Sequence, residues 1–111
     1  MDKIKKYEKI ICELLTEYSE VKRIPVEVKA QVIIDKENHH YQLLSLGWHK
    51  SGFTYQTAFH FDIIENKIWI QQNNTDILIA DELISKGVNK DDIILGFIAP
   101  TMRRYSGFAE A

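Results

Sequence analysis

One stretch limits the fold of this chain more than any other: Tyr41 to Asn73, YQLLSLGWHKSGFTYQTAFHFDIIENKIWIQQN. Its apolar residues recur with a period of two and are broken twice by short turn sequences, the pattern of three antiparallel strands. Glu65-Asn66 makes a two-residue loop between alternating runs, a hairpin signal. It sets Ile64 opposite Lys67, Ile63 opposite Ile68, Asp62 opposite Trp69 and Phe61 opposite Ile70. His-Lys-Ser-Gly at 49–52 closes the earlier hairpin, with Trp48 opposite Phe53. Loops of even length preserve side-chain parity. The expected core face therefore holds Leu44, Leu46, Trp48, Tyr55, Phe59, Phe61, Ile63, Ile68 and Ile70. The other face carries Tyr41, Leu43, Ser45, Gln56, Ala58, His60, Asp62, Trp69 and Gln71. A sheet with one apolar face requires a helical cover.

The flanking segments supply that cover. Asp2 is placed to cap a first helix running to about Tyr18, in which Ile4, Tyr7, Ile11, Leu14, Leu15 and Tyr18 form one apolar stripe. After Pro25, the residues Val26, Val28, Ala30, Val32 and Ile34 alternate with polar ones, so a further strand precedes the turn at Asp35-Lys36-Glu37-Asn38. That makes four antiparallel strands in a meander. Past Asn73 the period lengthens. Asn74 or Thr75 is placed to cap a second helix burying Ile77, Leu78, Ala80, Leu83 and Ile84, and Gly87 ends it in the left-handed conformation. Asn89 caps a short helical turn before Ile93-Ile94-Leu95, and the tail RRYSGFAEA reads as irregular but docked through Tyr105 and Phe108. The expected class is α+β: helix, four-stranded antiparallel meander, helix and short helical turn, all in a single domain spanning residues 1–111.

Composition narrows function mainly by exclusion. A chain of 111 residues with 45% hydrophobic and 27% charged content can build one self-sufficient core. Its net charge of −2, with Arg23, Arg103 and Arg104 the only arginines, argues against an autonomous nucleic-acid binder. Lys3, Lys5, Lys6 and Lys9 read either as a nucleic-acid patch or as the solvated face of the first helix. The lone Cys12 cannot form an internal disulfide and reads as a packed helical residue. No apolar run approaches the roughly 20 residues that span a bilayer, and the expected setting is a reducing cytoplasm with no membrane association.

Reaction chemistry is hard to find. His60, Asp62, Trp69 and Gln71 share the polar sheet face, and a His–Asp pair suits a general base, yet no nucleophile with an oxyanion donor accompanies it. His39 and His40 are adjacent in extended chain and point opposite ways, and His49 and Cys12 lie elsewhere, so no metal-ligand set of the usual spacing exists. Phosphate-binding and nucleophile-elbow glycine motifs are absent. Neither catalytic residues, cofactor nor metal is expected. Trp69, Tyr41 and Leu43 on the face away from the helices call either for a second covering layer, which the tail can supply, or for another chain.

Taken in order, HYQLLSLGW (40–48), IWIQQNNTD (68–76), IADELISKGV (79–88), DIILGF (92–97) and RYSGFA (104–109) resemble the XisI family, the controlling factors of the cyanobacterial fdxN-element excision system. The resemblance spans nearly the whole chain. One departure is Ile98-Ala99-Pro100, where the family usually carries His-Pro-Pro after Leu-Gly-Phe, so no role of that histidine transfers. The resemblance implies an accessory factor in DNA excision with no catalysis of its own, acting with a recombinase and with XisH, a companion of nuclease-like fold. The sheet face around Trp69 and the tail are the expected surface for XisH or for a second copy of the chain, with Trp69, Gln71, Gln72 and Asn73, then Arg103, Arg104 and Tyr105, as contact residues. The alternative is direct DNA binding through the N-terminal lysines with Arg103 and Arg104.

Overall fold

In a computed structural model, residues 2–21 and 27–110 are described; the expectations for Pro25 and Val26 lie outside them. Helix α1 (Lys3–Ser19) is followed by β1 (Lys29–Asp35), β2 (His40–His49), β3 (Gly52–Ile64) and β4 (Lys67–Asn73). Then come α2 (Ile79–Ser85), a 3-10 turn (Lys90–Asp92), β5 (Ile93–Leu95) and a 3-10 helix (Pro100–Tyr105). The strands lie in chain order in one sheet, antiparallel from β1 to β4, with β5 parallel to β4. The fold is thus α+β with an N-terminal helix, as expected, but the sheet has five strands and is mixed. Ile93-Ile94-Leu95 is the added strand, reached by a crossover through α2, which parallel pairing requires.

Helix α1 starts where Asp2 accepts a hydrogen bond from the Ile4 amide at 3.0 Å. Its stripe of Tyr7, Ile10, Ile11, Leu14 and Leu15 is buried on the sheet. The turn at Glu65-Asn66 has positive φ at both residues, 51° and 66°, the type I′ geometry that matches strand twist. The four pairings expected around it are all present, as is Trp48 opposite Phe53.

Parity fails inside β2 and β3. The register shifts between Leu43 and Leu44, leaving Ala58 as the extra residue: Leu43 pairs with Phe59 but Leu44 with Thr57. Because cross-strand partners share a face, Tyr41 and Leu43 join Phe59 and Phe61 in the core under α1, where both are buried. Their expected place on the outer face is corrected. Leu44, Leu46, Trp48 and Tyr55 change sides with the same shift. Leu44 stays buried, but Trp48, Phe53 and Tyr55 are exposed at 73%, 51% and 62%. A second shift, between His60 and Phe61, pairs His60 with Gln72 in place of the expected Gln71.

Helix α2 also differs. It begins at Ile79 with no side-chain cap, because Asn73 and Thr75 are occupied in the loop before it. Asn73 Oδ1 accepts from the Thr75 amide and hydroxyl, and Thr75 Oγ1 accepts from the Ile77 amide. The later start buries Ile79 and Leu83 and turns Leu78 out to solvent. Gly87, at φ 112°, ends the helix as expected. A 3-10 helix over Pro100–Tyr105 takes in the first three residues of the tail, while 106–110 are irregular as expected; Phe108 packs on the core and Tyr105 stays exposed. Among the described residues no helix is long and apolar enough to cross a membrane.

Candidate functional site on the outer face of the sheet

The outer face is the one α1 does not cover, and the two register shifts decide what meets on it. His40 pairs with Asp62, which pairs with Trp69, so three neighbouring strands contribute to one row. Asp62 is buried at 8% exposure, with its carboxylate in the middle of the row. Its Oδ1 lies 2.7 Å from His40 Nδ1 and 2.9 Å from His60 Nε2, while Oδ2 accepts from Gln71 Nε2 at 3.2 Å. Burial works to raise the Asp62 pKa, but the hydrogen bonds from His40 and His60 outweigh it and hold the carboxyl below its usual range. The same hydrogen bond raises the pKa of His40. Two imidazoles standing 6.4 Å apart, edge to face, thus converge on one carboxylate oxygen.

The expected His60, Asp62 and Gln71 are therefore brought together. His40 is the member sequence reasoning missed. Unbroken parity through the first hairpin would put it on the core side, and the doublet Leu43-Leu44, two buried neighbours within an alternating strand, is the signal that betrays the shift. His39 does point away from His40. Its Nδ1 is 3.1 Å from the Tyr41 hydroxyl, which donates to Glu8 of α1. His49 belongs to its own turn, with Nε2 2.6 Å from Thr54 Oγ1. Cys12 is half-buried, and burial first, then Glu8, pushes its thiol pKa up, as befits a packed residue. The reading that the chain offers no ligand set needs amending. His40, His60 and Asp62 place one donor atom each within 4.8 Å of the others, and among the described residues they are the one such group.

The remaining predicted contact residues divide into covered and open ones. Arg103 lies over the Trp69 ring, 5.0 Å from its centre, and its guanidinium donates to the carbonyls of Ile98 and Gly96. Trp69 is accordingly half-buried under the chain's own tail, the covering-layer outcome. Asn73 holds the loop before α2. Gln72, Arg104 and Tyr105 are exposed, the last two stacked at 4.9 Å. Of the N-terminal lysines, Lys3 pairs with Asp92 at 3.1 Å.

Known proteins place the chain. The sequence profile of the family described as XisI protein matches residues 1–110. A crystal structure of a XisI-like protein from Anabaena variabilis ATCC 29413 superposes with a TM-score of 0.88 at 40% identity, covering 97% of this chain and 99% of that one. The crystal structure of fdxN element excision controlling factor XisI from the same organism superposes at 0.84 with 32% identity, covering 99% and 100%. No curated protein matches. A profile matched over nearly every residue, on a fold shared with two solved relatives end to end, makes the conclusion direct: this chain belongs to the XisI family.

Proposed function

We propose that the chain is a controlling factor for excision of a DNA element, acting by association with a XisH-like protein of nuclease-like fold and performing no catalysis itself. The observation that carries this reading is the family match over residues 1–110, joined to the 32% identity with a relative named fdxN element excision controlling factor. The contact surface in this reading runs along the outer end of β4 and the tail. Gln72, Arg104 and Tyr105 are offered to the partner. Trp69, Gln71, Asn73 and Arg103 shape that surface from beneath. Arginine and tyrosine are the side chains most enriched at the energetic centres of protein interfaces. The exposed aromatic group of Trp48, Phe53 and Tyr55 adds apolar surface that a protein partner, unlike a phosphate backbone, would use.

Co-expression with a XisH-like protein, followed by size exclusion and calorimetry, tests the proposal. A stoichiometric complex is expected, and combining Arg104→Glu with Tyr105→Ala should weaken it by about tenfold or more without lowering the melting temperature. No complex at tens of micromolar would sink it. Self-association of the chain alone, read in the same chromatogram, would identify a second copy as the occupant. The rival reading, direct DNA binding through Lys3, Lys5, Lys6 and Lys9 with Arg103 and Arg104, requires duplex affinity that falls steeply with salt. The pairing of Lys3 with Asp92 and of Arg103 with Trp69 leaves it fewer free cations.

A further inference from the structure

We propose that His40, His60 and Asp62 bind a divalent transition-metal cation. Two imidazoles and one carboxylate are the donor set suited to zinc, iron(II), cobalt(II) or nickel(II) in preference to the hard cations calcium and magnesium. The three residues stand on paired strands, not on loops, so backbone hydrogen bonding fixes their approach: His40 on β2 faces Asp62 on β3, with His60 two residues along the same strand. Both imidazole nitrogens aim at the same oxygen, at 2.7 and 2.9 Å, while the other oxygen is held by Gln71. A carboxylate only accepts, so without a cation each ring must place a proton in that small space. A metal ion takes the place of both protons. Bonds of about 2.0–2.1 Å at tetrahedral angles put ligand atoms about 3.3 Å apart. From 2.7 and 2.9 Å each ring must back away from the carboxylate oxygen by about half an ångström, and the two ring nitrogens, which lie within 4.8 Å of each other, must meet the same spacing. His40, its side chain 51% exposed, has the freedom to do so. Gln71 would orient the carboxylate from behind, the role that outer hydrogen bonds play around metal ligands. The exposed side of His40 leaves the remaining coordination positions to solvent or to a group from a partner.

The test uses the whole chain, stripped with a chelator and titrated with zinc chloride near neutral pH by calorimetry, with thermal melts in parallel. One ion per chain and a higher melting temperature in zinc are the expected results. His40→Ala and His60→Ala should each weaken zinc binding by roughly tenfold or more. His49→Ala, in the hairpin turn, should leave it unchanged. His40 is exposed enough that its truncation keeps the fold, which circular dichroism would check. The visible spectrum of the cobalt(II) form would report imidazole and carboxylate coordination and should be lost in the His40→Ala, His60→Ala double variant. Absence of any heat or melting shift at about 100 µM zinc would overturn the proposal, since an open three-ligand site should be filled well below that. Equal affinity in wild type and the double variant would overturn it too, by placing the ion elsewhere.

Discussion

Asp62 and Asp92 are the two buried carboxylates among the described residues, each 8% exposed; Asp62 is held within its own sheet, Asp92 by partners from the far end of the chain. Asp92 receives the Tyr7 hydroxyl at 2.5 Å and the Lys3 ammonium at 3.1 Å, which ties the first turns of α1 to the start of β5. Burial alone would raise the Asp92 pKa, but Tyr7 and Lys3 outweigh it and hold the carboxyl below its usual range. Tyr7 is pushed the other way, to about 12, by burial and then by Asp92. A carboxyl depressed in the folded state stabilises the fold above its unfolded pKa, and that contribution is lost as pH falls through the folded value. Tyr7→Phe should therefore destabilise the protein by about 1–3 kcal/mol at neutral pH. Its gap to wild type should narrow on acidification below about pH 4, because the ionised carboxylate is what the hydroxyl favours. Urea melts at several pH values measure this. A gap that is constant or grows in acid would remove Asp92 from the explanation.

At the scale of elements, local chemistry agrees with the fold wherever it acts through few residues. The Asp2 cap, the Asn89 cap, Gly87 and the Glu65-Asn66 turn are all set by short-range hydrogen bonding or by allowed φ. The turn is also improvable. Glu65 at φ 51° is an unfavoured residue for the left-handed region, whereas Asn-Gly is the preferred type I′ pair. Replacing Glu65-Asn66 by Asn-Gly should raise stability by about 0.5–1 kcal/mol, seen as a higher denaturant midpoint with unchanged slope. A lower midpoint would mean the Glu65 side chain contributes more than its backbone strain removes. Elements that depend on register are another matter. Ala58 and Gln71 carry no mark of being extra residues. A strand's period of two converts a single inserted residue into a change of face for everything beyond it. For the same reason Leu78, expected inside, is outside: the Asn73–Thr75 hydrogen bonds delay α2 and alter its phase.

For the whole molecule the sheet has two different sides. α1 and α2 bury one, and the tail covers the β4–β5 part of the other. Arg103 lies on Trp69 there, the Ala109 amide donates to the Ile93 carbonyl at the β5 edge, and beyond that edge Phe108 packs on the helical side beside Ile70 and Leu95. Ile94, opposite Trp69, is fully buried. Ending the chain before Pro100 should remove the Arg103 cover and the packed Phe108 ring and lower stability by about 1–3 kcal/mol, from one half-buried aromatic and one cation–π contact. Thermal melts and binding of a dye that reports exposed apolar surface would measure it. A truncated chain as stable as the full one would make the tail a passenger. The uncovered β1–β3 part of the same face is where Trp48, Phe53 and Tyr55 stand exposed.

Alternation and helical periodicity were enough, in the chain itself, to specify a helix, a meander with two named hairpins, a second helix and most of the core residues. These signals are local: each depends on residues within a turn or a strand of one another. The residues of the candidate site were only partly legible, since His60, Asp62 and Gln71 share a short hairpin while His40 lies on another strand. What required the tertiary structure was the face on which β2 and the first half of β3 fall, the parallel pairing of β5 and the meeting of His40 with Asp62. All three follow from strand register and packing between segments far apart in the chain, where one bulged residue outweighs any pattern in the sequence beside it.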